Sequence, residues 1–230
     1  MTEPEWLTAT EPWGMLTFVG AGASKRKLRL FTCACCRQVL NPFTPPLVER
    51  AVSVAEAFAD REITGEMLAR VGDLVRVAIG AARDADVRSG TGYLSHLLDA
   101  VAAACWSDDE MEAAQDTALA TARAAADMPW PASGVRPSEF SEELSLQAEV
   151  VRDIFGNPFR SLEIQLEWLT ETVLALARGI YAEHAFDRMP ILADALQDAG
   201  CDDAEMLSHC RVAREHVSGC WVVDLLLGNV

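Results

Sequence analysis

The chain has 230 residues, half of them hydrophobic, and a formal net charge of -16. This length allows one large domain or two small ones, and the hydrophobic content excludes an intrinsically disordered chain. The excess of acidic residues repels phosphate backbones, which counts against nucleic-acid binding outside a local basic cluster.

No hydrophobic run reaches the roughly 18–20 residues needed to span a bilayer. The N-terminal stretch MTEPEWLTATEPW carries early acids and lacks the basic and then apolar pattern of a signal peptide. We therefore expect a cytoplasmic protein that does not associate with membranes. Seven cysteines, an odd number in a chain without an export signal, favour reduced and mostly buried thiols over a disulfide framework.

The N-terminal half reads as a succession of helices. Two short helical pieces are separated at Pro12, and Ser24 is the expected N-cap of a helix that runs to about Leu40. Apolar residues recur at helical spacing in each later segment. The expected starts of those segments are Thr44-Pro45, Thr64, Thr91, and Ser107 with Asp108 and Asp109.

A connector divides the predicted helices into two groups. The stretch MPWPASGVRP, from Met128 to Pro137, is rich in proline and glycine, which is typical of a domain boundary or of a surface loop. The sequence therefore predicts an N-terminal helical region over 1–130, a connector at 131–137 and a C-terminal helical module over 138–230. The two regions can equally pack as one domain.

The C-terminal region continues the helical pattern. Expected N-caps are Thr170, Asp202 and Ser218, and the last helix, Gly219 to Leu227, is apolar nearly all round, which indicates a buried element. Asp224 interrupts that run, so its carboxylate needs a partner if it is buried. The donors considered for it are Arg152, Arg160 and Arg188. The predicted fold class is all-α, with about ten helices in a multi-helix array or bundle.

Several stretches together resemble a known group of sequences. They are KLRLFTCACCRQ (27–38), FGNPFR (155–160), MPILADALQDAGC (189–201) and HVSGCWVVDLLLG (216–228). A family of uncharacterised bacterial proteins, abundant in planctomycetes, combines segments similar to these. The resemblance covers the two ends of the chain and implies that the ending is a structural module. It implies no catalytic residue.

The ending also contains the strongest set of candidate metal ligands. Thiolate and imidazole are the ligands that zinc prefers, and four of them suffice for a closed tetrahedral site. The spacing Cys210-x5-His216-x3-Cys220 would let a loop between two helices surround one ion. The spacing matches no standard zinc finger, and buried free thiols are the alternative. The candidate ligands are Cys201, His209, Cys210, His216 and Cys220.

A second group of cysteines, Cys33, Cys35 and Cys36, lies in the N-terminal half. Cys33 and Cys36 have the spacing of a redox motif, but such motifs begin a helix next to a strand, where the helix dipole lowers a thiol pKa. Here the pair falls within a predicted helix. Packing is therefore the alternative to a thiol site, although basic neighbours could make one thiol reactive.

Those neighbours form the one basic cluster of the chain: Lys25, Arg26, Lys27, Arg29 and Arg37. It either pairs with acidic residues elsewhere or receives an anionic ligand or nucleic acid.

The sequence contains no complete catalytic set and no phosphate-binding loop, HExxH or GxSxG signature. The leading functional hypothesis is therefore a non-enzymatic helical module that acts through protein–protein contacts. The alternatives are a zinc-binding protein that uses the C-terminal cysteines and histidines, and a thiol-based redox sensor.

Overall fold

The structure is a computed structural model, which describes residues 1–42, 44–106, 109–128, 140–160, 164–212 and 214–229. These residues form twelve α-helices and three short 3-10 turns, without a β-strand among them. The predicted all-α class is confirmed. The chain divides into two compact units, Met1–Val151 and Arg152–Val230. The predicted connector at 131–137 lies outside the described residues.

The first unit contains seven complete helices and most of an eighth. Helix α3 packs against α4, α6 and α7, and α6 also packs along α5 and α7. The helices are α1 (Glu3–Thr8), α2 (Pro12–Val19), α3 (Lys25–Gln38), α4 (Pro46–Ala59), α5 (Gly65–Ser89), α6 (Tyr93–Trp106), α7 (Glu110–Ala126) and α8 (Phe140–Phe155), of which α8 ends within the second unit.

Local sequence signals explain where two of these helices begin. The Ser24 side chain accepts a hydrogen bond from the backbone N–H of Lys27, as predicted, and so satisfies one free donor of the first turn of α3. At the start of α7 the Asp109 carboxylate accepts from the backbone N–H groups of Met111 and Glu112. The other two residues considered for that start, at 107 and 108, lie outside the described residues.

The basic cluster is part of the framework of the first unit. Ion pairs join Lys25 and Arg29 to Glu110, at 2.9 and 3.3 Å, and two further pairs are Arg26–Asp60 at 2.8 Å and Arg37–Glu56 at 2.5 Å. The Arg29 guanidinium, which is nearly buried, also donates to the carbonyl of Ala104. The pairing with acidic residues that the sequence predicts for this cluster is thus observed for Lys25, Arg26, Arg29 and Arg37.

The second unit is built from the end of α8 and four further helices. They are α9 (Glu171–Glu183), α10 (Met189–Asp198), α11 (Ala204–Arg211) and α12 (Trp221–Leu227). Helix α9 contacts α10 and α12, and α11 contacts the same two helices. Fully buried side chains from all four fill the space between them, including Ile180, Leu192, Leu196, Met206 and Val222.

Two predicted helix starts in this unit are wrong. Asp203, rather than Asp202, caps α11, because its carboxylate accepts from the backbone N–H of Met206 at 2.7 Å. Helix α12 begins at Trp221 with Cys220 at its N-cap position, and the Ser218 hydroxyl lies instead 3.1 Å from Nδ1 of His184. Asp202 lies one residue before the observed N-cap of α11, and Ser218 lies two residues before that of α12. Sequence patterns do not locate a helix start to within one or two residues.

Burial of Asp224 in the last helix is confirmed, since the residue has no exposed surface. Of the arginines considered as its partners, Arg160 lies 3.5 Å from Glu205 and Arg188 lies 2.9 Å from Glu183.

Among the described helices of the chain, none is both long enough and apolar enough to cross a membrane.

Candidate metal centre

Four buried side chains of the second unit converge on one point: Asp153, His209, His216 and Cys220. One potential ligand atom from each lies within 4.8 Å of the others. The exposed fractions of these residues are 1% for Asp153, 5% for His209, 7% for His216 and 0% for Cys220. In the part of the chain that the structure describes, this is the single group of three or more such residues close enough to hold a metal.

The end of α8 delivers the carboxylate. Asp153 lies in its last turn, and the helix stops at Gly156, whose backbone has the positive φ of 66° that glycine adopts freely. The Gly156 N–H closes the last turn by donating to the Arg152 carbonyl. An added Cβ at Gly156 would lie 3.1 Å from Cγ of Trp221, so the missing side chain also lets α12 approach.

The other three ligands come from α11 and from the segment that joins it to α12. His209 shares the inner face of α11 with Met206, three residues earlier. His216 lies in the connecting segment, and Cys220 occupies the N-cap position of α12. The Val217 backbone N–H donates to Oδ2 of Asp153 at 3.0 Å and thereby ties this segment to α8.

The distances between the ligand atoms are short. Nε2 of His209 lies 3.2 Å from both Oδ1 of Asp153 and Sγ of Cys220. Nδ1 of His216 lies 2.6 Å from the same Oδ1 and 3.8 Å from the same Sγ. The two imidazole rings meet edge to face, with 4.9 Å between their centroids.

Hydrogen bonding around the cluster determines where its protons lie when no metal is bound. The Trp221 indole N–H, which is a donor only, donates to Nδ1 of His209 at 3.0 Å. The ring proton of a neutral His209 is therefore on Nε2, facing Asp153. With Nδ1 of His216 and the N–H of Val217, the carboxylate accepts three hydrogen bonds. Nε2 of His216 is buried and has no hydrogen-bond partner among the described residues.

The electrostatics agree with this pattern. Burial acts to raise the pKa of Asp153, but hydrogen bonds from His209 and His216, together with their charge, lower it to about 2. Burial lowers the pKa of His209, although Asp153 acts in the opposite direction. Burial, followed by the charge of Asp153, raises the pKa of the Cys220 thiol well above its ordinary value. Without a metal the cluster thus contains a carboxylate, a neutral His209 and a protonated thiol.

Three of the five ligands predicted from the sequence lie in this cluster, and Cys201 and Cys210 do not. Cys210 follows His209 on α11, so its side chain is rotated by about 100° around the helix axis. Sγ of Cys201 contacts Sδ of Met206 at 3.9 Å. Sequence reasoning missed Asp153, which is 63 positions away from His216. The buried face of α8 also carries Glu143 and Gln147, so no local signal distinguished Asp153 from other polar residues of that helix.

The N-terminal cysteines form no comparable site. Cys33, Cys35 and Cys36 each have no exposed surface. Burial raises the pKa of all three thiols. Because the thiolate is the reactive form, both effects disfavour a thiol-based sensor.

We expect a maleimide at pH 7.5 to label these three cysteines at least about 100-fold more slowly in the native protein than in denaturant. Mass spectrometry of the labelled peptides measures the rate at each cysteine. Labelling of Cys33 or Cys36 in the native protein at the denatured rate would contradict this expectation and restore the sensor hypothesis.

A scan against family models and searches of curated proteins and of solved structures return no match to this chain. No relative's activity can therefore be transferred to it. Any function assigned to the chain has to follow from the chemistry of its own side chains, and among the described residues the cluster at Asp153 is the group whose chemistry is most specific.

Proposed function

We propose that the second unit, residues 152–230, is a metal-binding module in which Asp153, His209, His216 and Cys220 hold one zinc ion. The observation that carries the proposal is the convergence of four buried side chains, each offering a zinc-ligating atom, from three separate parts of the unit. A site with four protein ligands is complete and leaves no position for a substrate. The role of the metal is therefore structural.

The observed distances support a tetrahedral ion. Zinc bonds of about 2.0–2.3 Å in tetrahedral geometry place nitrogen and oxygen ligands about 3.3 Å apart, and nitrogen and sulfur ligands about 3.6 Å apart. Of the four ligand–ligand distances given above, the two of 3.2 Å and the one of 3.8 Å are close to these values. The 2.6 Å separation of His216 and Asp153 is that of a hydrogen bond and has to lengthen when the metal replaces the proton.

The donor set favours zinc over magnesium and calcium, which prefer all-oxygen sites.

Zinc binding also changes the hydrogen bonds and the protons of the cluster. Coordination through Nε2 moves the remaining ring proton of His209 to Nδ1, where the Trp221 indole N–H now donates. That hydrogen bond must break when the ion binds. The thiol proton of Cys220 is released as well, because a coordinated thiol is deprotonated.

Metal content tests the proposal. We expect the full chain, purified without a histidine tag under reducing conditions, to contain one equivalent of zinc by elemental analysis. Replacement of Cys220 by Ala should remove it. Cys210→Ala is the matched control, because Cys210 is also fully buried in the same unit but lies outside the cluster, and this variant should retain the metal.

Cobalt substitution keeps the test decisive even if Cys220→Ala does not fold. Wild-type protein reconstituted with Co²⁺ should show the intense visible bands of a tetrahedral ion and a near-ultraviolet thiolate-to-metal charge-transfer band. A wild-type protein that neither contains zinc nor produces these bands contradicts the proposal. The cluster is then a hydrogen-bonded core network.

Protein–protein contact is the second candidate function, and it is compatible with a structural metal. A surface groove in the same unit favours it, because none of the residues that line the groove belongs to the four candidate ligands.

A further inference from the structure

The groove lies at the surface of the second unit and has a volume of about 650 Å³. One wall is formed at and just after the end of α8, by Phe155, Gly156, Asn157 and Arg160, and residues 202–205 at the start of α11 form the other. Trp221, the first residue of α12, lies between them. The volume falls within the range of about 300–1,000 Å³ that is typical of ligand-binding clefts.

The charges that line the groove favour a cation. Asp202, Asp203 and Glu205 contribute three carboxylates, whereas Arg160 contributes the one guanidinium of the lining. Arg160 lies 3.5 Å from Glu205, so its charge is offset within the groove itself. The positive end of α11 is also neutralised, because Asp203 caps it. An anionic ligand would therefore meet net negative charge, and the chain as a whole is strongly acidic.

The aromatic residues add a second, independent preference. Trp221 and Phe155 both line the groove. A guanidinium group stacks on aromatic rings while its N–H groups bind carboxylates, whereas an ammonium group is a smaller and more strongly hydrated point charge. Aromatic faces next to carboxylates thus fit arginine better than lysine.

We propose that this groove binds an arginine side chain of a partner protein, with the guanidinium against Trp221 and its N–H groups directed to Asp202. Asp202 is exposed and forms no ion pair with a described residue, so an incoming arginine does not have to displace a cation from it. The inference concerns a surface outside the metal ligands and stands whether or not the unit binds zinc.

The experiment uses the full chain and the peptide acetyl-Gly-Arg-Gly-amide. Titration is followed by the indole N–H signal of Trp221 in NMR spectra, which is assigned by its loss in Trp221→Phe. We expect saturable shifts, and a dissociation constant at least about threefold weaker for Asp202→Asn, as for an exposed ion pair. The same peptide with citrulline, which is neutral and nearly isosteric, should bind at least about tenfold more weakly.

Asp187→Asn is the matched control, because Asp187 is exposed in the same unit but does not line the groove. It should leave the dissociation constant unchanged. Any of three results would overturn the proposal: no saturable shift with the arginine peptide, equal binding of the citrulline peptide, or equal weakening by Asp187→Asn and Asp202→Asn. Preferential binding of acetyl-Gly-Glu-Gly-amide would show that the groove selects anions instead.

Discussion

Replacing Asp153 by Ala is expected to lower the free energy of unfolding of the second unit by about 3–5 kcal/mol. The carboxylate has 1% exposed surface and accepts from two imidazole rings and from the Val217 backbone. Its removal leaves three buried donors without an acceptor, and each unsatisfied donor costs about 1–3 kcal/mol. A loss of that size is a large fraction of the roughly 5–15 kcal/mol by which globular domains are stable.

This loss should persist in excess chelator, because the hydrogen bonds exist without the metal. Hydrogen exchange of the α12 amides reports the stability of the second unit separately from that of the first. Asp198→Ala removes an exposed carboxylate from the end of α10 and should change the stability by less than about 0.5 kcal/mol. Equal protection in the Asp153→Ala and Asp198→Ala variants would show that the network contributes little.

Removing the metal is expected to destabilise the second unit by an amount that depends on zinc concentration. An ion that binds the folded state alone contributes about 4 kcal/mol when its free concentration is 1,000 times the dissociation constant. Denaturant unfolding of the wild type at fixed free zinc and in chelator should therefore differ by about that amount. The indole N–H signal of Trp221 should also move, because its bond to His209 breaks on metal binding.

His216→Ala separates this effect from general destabilisation. The variant loses a metal ligand, so its unfolding curves with zinc and with chelator should coincide, even if both lie below the wild type. Coincident curves for the wild-type protein would count directly against the zinc module. A zinc effect that survives in His216→Ala would show that the ion is bound elsewhere on the chain.

A comparison of the three N-terminal cysteines with Cys220 shows why residue type alone does not identify a site. Cys33, Cys35 and Cys36 are close together on one buried helix, and Cys33 and Cys36 belong to a core of apolar side chains. Cys220 is isolated in sequence, yet it lies within 4 Å of His209 and His216. The chemistry of a thiol depends on these neighbours, which belong to other elements.

Local signals in the sequence determined most of the secondary structure. The cap at Ser24 and the apolar spacing of the long helices predicted the all-α class, because each depends on residues within one or two turns. The same signals were ambiguous where polar residues adjoin, as at Asp202 and Asp203. Burial of Asp224 followed from its apolar surroundings in the chain.

Only the tertiary structure decided which side chains share a site. Three candidate ligands lie within a short C-terminal stretch, so their proximity was predictable, but the fourth, Asp153, belongs to a helix 63 positions before His216. The helical spacing of apolar residues predicts which face of α8 is buried, but it does not predict which residues of other helices that face contacts. The packing of α8, α11 and α12 selected Asp153 for the cluster and left Cys201 and Cys210 outside it.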